Sequence, residues 1–213
     1  MRVACYIDGF NLYHAIDDLK LPHLKWVDPW ALALSLCRQG ETLTKVAYFS
    51  AYATWRPDAY ARHRHYVAAI QHQKVECHMA RFSAQTASCQ KCRTTWTRHE
   101  EKETDVHFSL TLLEDAIDNV FDRAIIISAD SDHVPAVRRV RSRLPAKQMF
   151  AATPPGRHNK AREMLKICNS NANITQGRIA RCLLPQSIVD ASGKTVAVRP
   201  KNYDPPSGWA PPT

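Results

Sequence analysis

Asp8 stands directly behind an apolar run, Val3 to Ile7, and leads into Gly9, Phe10 and Asn11. A second run, Ala124 to Ser128, is followed by Ala129 and then by Asp130, Ser131 and Asp132. Between them, Asp105 opens a stretch with helical spacing, just after Glu100, Glu101, Lys102 and Glu103. Carboxylates gathered from three parts of a chain repel one another and raise each other's pKa unless a cation neutralises them. Their hard oxygens suit Mg²⁺ or Mn²⁺, which keep several waters and bridge to phosphate groups. The chemistry of such a centre is attack of activated water on a phosphodiester, with the charge on the leaving oxygen stabilised. Each acid also has a plainer reading: Asp130 or Ser131 caps a helix, and Asp105 complements a helix dipole. What favours joint chemistry is that three acidic clusters fall where one sheet edge would collect them.

The charge pattern points the same way. Half of the twenty acids lie between Glu100 and Asp132, against Lys102 and Arg123 alone, whereas His133 to Lys166 carries nine Lys or Arg and one acid, Glu163. A net charge of +9 favours a polyanionic partner such as RNA or DNA. Basic candidates for the backbone are Arg138, Arg139, Arg141, Arg143, Lys147 and Arg162, and above all Arg157, His158 and Lys160 behind Pro154-Pro155-Gly156. The first four also read as the wet side of a helix.

Five short runs read as strands: Val3 to Ile7, Leu43 to Ser50, Lys74 to Phe82, Ala124 to Ser128 and Lys147 to Ala152. Helical patterns alternate with them. Ala59, His63, Tyr66 and Ile70 share a face, as do Val106, Leu110, Leu113, Ile117 and Val120, and then Val134, Val137, Val140 and Leu144. Such alternation predicts an α/β fold with a mostly parallel sheet covered on both faces. Ligands then sit beyond the carboxyl ends of the strands, where strand order reverses. Asp8 and Asp130 both follow strands directly, and Gly9 would let the chain turn so that Asp8 and Asn11 face one point.

Ile7-Asp8-Gly9-Phe10-Asn11-Leu12, Glu101-Lys102-Glu103-Thr104-Asp105-Val106 and Ile126-Ile127-Ser128-Ala129-Asp130-Ser131-Asp132, with Pro135 behind, resemble the motifs of the NYN domain family of PIN-like nucleases. The resemblance runs from about Arg2 to Leu184. It implies a PIN-like three-layer sandwich, a central mostly parallel sheet between helices, and Mg²⁺- or Mn²⁺-dependent endonucleolytic cleavage of RNA. Carried over by position, Asp8, Asp105, Asp130 and Asp132 match the metal-holding acids and Asn11 the asparagine beside the first of them. Ser128 and Ser131 match small polar positions around the third motif and are expected near substrate with Arg157, His158 and Lys160. Two residues depart from the pattern: Ala129 replaces a glycine, and His133 replaces an apolar residue. His133 either touches substrate or is a solvated or locally hydrogen-bonded histidine. Glu101 and Glu103 supply either a further carboxylate or a solvated turn.

The domain is expected over residues 1–184, with Ser83 to His99 as an inserted loop or small hairpin. Residues 185–213, with six of the thirteen prolines, form a peripheral arm or a disordered tail. Seven scattered cysteines and the absence of a signal-like or membrane-spanning run fit a reduced, cytoplasmic setting. Cys89 and Cys92 form a CxxC inside the insert, which is half a structural Zn²⁺ site, an unlinked reduced pair or a redox disulfide. Two alternatives to a ribonuclease remain on sequence grounds, an RNA-binding module that does not cut and a small-molecule phosphohydrolase. A phosphatase of the haloacid-dehalogenase type is excluded, since Phe10 stands where a second aspartate belongs.

Overall fold

The computed structural model describes residues 1–212. Each of the five apolar runs forms a strand, and two further strands close the edges of a seven-stranded sheet. In chain order these are β1 (Arg2–Asp8), β2 (Thr42–Ala51), β3 (Glu76–Ser88), β4 (Thr95–Lys102), β5 (Arg123–Ile127), β6 (Gln148–Thr153) and β7 (Ser170–Asn173). Across the sheet the order is β4-β3-β2-β1-β5-β6-β7. All neighbours run parallel except β3 and β4. The chain builds outward from β1 through β2 and β3, then returns to its other side for β5, β6 and β7. The reversal point therefore lies between β1 and β5, where a crevice forms beyond their carboxyl ends.

Val3 to Ile7 are completely buried, as a central strand covered on both faces requires. Val3, Cys5 and Ile7 point to one core, Ala4 and Tyr6 to the other. The first core is closed by α1 (Gly9–Asp18), α2 (Pro29–Leu34) and α3 (Pro57–His72), which contribute Leu12, Leu32 and Ile70. The second is closed by α4 (Thr104–Ile117), α5 (Val134–Arg143) and α6 (Arg162–Ile167), through Phe108, Val137 and Met164.

Helix α4 corrects one expectation. Val106, Leu110 and Ile117 are exposed, while Phe108, Leu112 and Ala116 face the sheet. Its phase is set by polar and aromatic anchors: Asp115 accepts hydrogen bonds from Tyr6 Oη (2.7 Å) and Lys45 Nζ (3.0 Å), and Phe108 packs 5.0 Å from Phe49.

The segment 83–99 lies in a β-hairpin. β3 continues past its parallel pairing with β2, and β4 returns along it from Ser88↔Thr95 to Arg81↔Lys102. Residues 185–212 lie back on the domain: β8 (Ser187–Val189) pairs with β9 (Thr195–Val198), β9 rests against α3, and Trp209 packs 4.9 Å from His23. A short α7 (Gln176–Ala180) precedes them. Among the described residues no helix is long and apolar enough to cross a membrane.

Candidate active site

The register pairs Ile7 with Ile127, so Asp8 and Ser128 come level just beyond it. Asp8 caps α1: its Oδ1 accepts the Asn11 N–H (3.0 Å) and its Oδ2 accepts the Ser128 hydroxyl (2.9 Å). Ser128 Oγ in turn accepts the Asp130 N–H at 3.0 Å, and the Asn11 side-chain oxygen accepts the Ala129 N–H at 3.1 Å. Asn11 is thus a brace between the first and third motifs. Ser128, expected near substrate, is wholly buried with its hydroxyl engaged in both bonds. Its hydroxyl orders two carboxylates from inside the fold.

Gly9 serves close approach. A Cβ there would stand 2.5 Å from the Tyr48 ring and 2.7 Å from the Phe49 carbonyl oxygen, so only glycine lets α1 start against β2.

Asp130 caps the turn Ser131–His133, accepting the Asp132 N–H at 3.0 Å. That turn drives His133 into the interior, which excludes the solvated reading. Its ring stacks on Phe108 at 3.9 Å, and its Nε2 lies 3.4 Å from Asp8 Oδ2 and 3.8 Å from Asp105 Oδ1. The signal is present in the sequence: His133 precedes Val137 by four residues and Val140 by seven, and so shares their buried face.

Glu100 to Lys102 are the end of β4 and not a solvated turn. Glu103 follows in the left-handed region (φ 78°), and its carboxylate pairs with Arg81 at 2.8 Å. Glu101 faces the crevice. Burial pushes its carboxyl up to about 7, the nearby Asp8 and Asp105 add to that, and the Thr104 hydroxyl opposes it. Asp105, in the first turn of α4, is also raised by burial and by Asp8, Asp130 and Asp132, against an opposing effect of His133.

These groups line one cavity of about 420 Å³, walled by Asp8, Asn11, Glu101, Asp105, Asp130 and Ser131 together with Arg157 and Lys160. Arg157 is also tied to Asp18 at 2.5 Å. Two expected residues stand apart: Asp132 is exposed and reaches the cavity by its charge alone, and His158 turns to Thr153 Oγ1 at 3.1 Å. Of the other basic candidates, Arg141 donates to the Ile167 carbonyl and Lys147 to the Phe121 carbonyl, both away from the cavity.

As they stand, no three His, Cys, Asp or Glu side chains among the described residues close around a single point. The converging donors are nevertheless carboxylate oxygens, and burial followed by neighbouring carboxylates raises two of them, Glu101 and Asp105. That set fits an oxygen-seeking divalent ion held by few direct ligands and several waters. The Zn²⁺ expectation fares differently. Cys89 and Cys92 sit in the tight turn at the hairpin tip, and no third ligand joins them among the described residues. Contacts with Thr94, then Cys89, bring the Cys92 thiol down to about 7.

The model of the NYN domain matches residues 2–172. The chain belongs to the NYN domain family. Its fold is accordingly nuclease-like and, at that coarse level, that of a hydrolase. A crystal structure of a protein of unknown function from Vibrio parahaemolyticus is similar in fold, with a TM-score of 0.57 at 18% identity, covering 86% of this chain and 96% of that one. In sequence, the NYN chain is 26% identical over 106 residues to 6-hydroxy-3-succinoylpyridine 3-monooxygenase HspA of Pseudomonas putida. That match takes in 49% of this chain and 33% of the monooxygenase, so the chain spans about a third of that relative's length.

Proposed function

We propose that the protein is a divalent-metal-dependent ribonuclease that hydrolyses RNA phosphodiester bonds internally. The observation that carries this reading is the convergence of Asp8, Glu101, Asp105 and Asp130 in one cavity that Arg157 and Lys160 also line. Asp8, Asp105 and Asp130 would hold Mg²⁺ or Mn²⁺, and Asp132 would add charge from the rim. When bound, the ion activates water and stabilises the leaving oxygen. Ser128 and Asn11 fix Asp8 and Asp130 in place before substrate arrives. Arg157 and Lys160 receive the phosphate backbone. Glu101, in the same cavity, is placed to take the proton of the attacking water.

Asp130→Asn and Asp8→Asn keep side-chain size and remove charge. Cleavage of single-stranded RNA in Mg²⁺ or Mn²⁺ should be lost in both and in wild type with EDTA, while RNA binding persists. Wild-type rates in both purified variants would end the nuclease reading, and binding without cleavage by wild type would favour a non-cutting RNA-binding module.

A further inference from the structure

A second cavity, of about 300 Å³, shares Phe10 and His14 with the carboxylate cavity. These residues are one turn apart on α1, with their rings stacked 6.2 Å apart at 24°, and form a partition between the two spaces. Beyond it the wall is strongly aromatic, with Tyr13, Tyr48, Trp55, Tyr66, Phe82 and Tyr203. Trp55 is held by stacking on His99 at 3.7 Å and by the edge of Phe82 at 4.7 Å. Both partners come from the hairpin β3–β4, which also delivers Glu101 to the neighbouring cavity.

The polar groups in this wall narrow the occupant. His63 Nε2 is buried and has no hydrogen-bond partner. Burial pushes that imidazole down to about 4, so at neutral pH the ring is uncharged and offers one donor and one acceptor. Arg56 and Arg62 stand in the same wall. An aliphatic ligand would leave His63 unpaired, and a simple anion would have no use for the rings. A planar nitrogen heterocycle with a nearby negative charge uses both. The volume lies at the small end of ligand pockets, roughly 300 to 1,000 Å³.

We propose that this cavity receives the unstacked base of a nucleotide whose adjoining phosphate lies in the carboxylate cavity, with Phe10 and His14 at the junction. The placement of the phosphate rests on the nuclease reading, whereas capture of the base does not. The substrate is then single-stranded, since a paired base is not free to enter.

Calorimetric titration with uridine and adenosine 5′-monophosphates, against ribose 5-phosphate, tests base capture without metal or cleavage. Both nucleotides should bind at least tenfold more tightly than the sugar phosphate. Trp55→Leu should weaken them about 5- to 150-fold, the usual worth of stacking one base on an aromatic ring. His63→Leu, checked for folding by circular dichroism, should weaken them too and carries the test should Trp55→Leu not fold. A single abasic site moved along a single-stranded RNA should then suppress cutting at one adjoining phosphodiester. Equal binding of ribose 5-phosphate, folded variants that bind like wild type, or a flat abasic scan in a protein that does cut RNA would each overturn the inference. Nucleotide binding that depends on Trp55 and His63 in a protein that cuts no RNA would uphold the base pocket, identify free nucleotides as its source, and refute the nuclease reading alone.

Discussion

Glu101→Gln should make the metal-free protein more stable at pH 8 and less responsive to added Mn²⁺. The Glu101 carboxyl is partly buried beside Asp8 and Asp105, and its pKa rises from 4.5 to about 7. Between those values the folded protein holds a proton that the unfolded chain has released. Stability therefore falls as pH rises through about 4.5 to 7, and the penalty is complete above that window. The full interval corresponds to about 3 kcal/mol, which solvent screening of an incompletely buried group reduces to roughly 1 to 2 kcal/mol. For a domain of this size that is a gain of about 2 to 8 °C in melting temperature. Thermal melts at pH 5 and pH 8 in EDTA, followed by circular dichroism, make the comparison. Wild type should lose more stability than the variant between the two pH values, and Mn²⁺ should restore more to wild type. Parallel pH profiles, with the variant melting below wild type at pH 8, would mean that Glu101 does not share a charge-starved cavity with Asp8 and Asp105.

Arg157→Ala combined with Lys160→Ala should flatten the dependence of log affinity on log salt by about one unit for each phosphate no longer neutralised, measured by anisotropy with labelled RNA. An unchanged slope would place the RNA elsewhere. Ser128→Ala leaves an Asp130 N–H without its acceptor and Asp8 without a donor, which should cost about 1 to 3 kcal/mol in denaturant unfolding. Gly9→Ala puts a methyl group 2.5 Å from the Tyr48 ring and 2.7 Å from a β2 carbonyl, and should cost roughly 1 to 3 kcal/mol by the same measurement. A loss of only a few tenths would show that α1 can move off β2.

Five of the six parallel strands are legible because each is a compact apolar run bounded by polar residues, whereas the polar edge strand β7 is not, and the acids behind β1 and β5 are legible because the end of a buried strand fixes where the next residues lie. Side-chain direction is less accessible. Val106, Leu110 and Ile117 make a better apolar stripe than Phe108 and Leu112, yet the partners Asp115 finds on β1 and β2 turn the helix the other way. Those partners are 109 and 70 residues distant, and no local periodicity contains them. Glu101 is obscured for a related reason. Its neighbours Glu100 and Glu103 are paired with Lys102 and Arg81, and only the antiparallel pairing of β4 with β3 separates Glu101 from this surface-charge pattern. Asn11 is legible as a site residue, but its work as an acceptor for Ala129 depends on a partner 118 positions away. Asp132 and His158 adjoin site residues along the chain, and turn geometry carries both off the cavity wall.

The two cavities are finished at different times as the chain is made. Everything that walls the carboxylate cavity has been synthesised once Lys160 emerges, whereas the aromatic cavity waits for Tyr203, which the Pro-rich arm brings back over α1 and α3. Domains begin to order from the N-terminus during synthesis. A chain cut short before Tyr203 therefore retains every wall residue of the acidic centre but lacks part of the enclosure beside it. Loss of the arm would open the aromatic cavity and leave the wall of the acidic one in place.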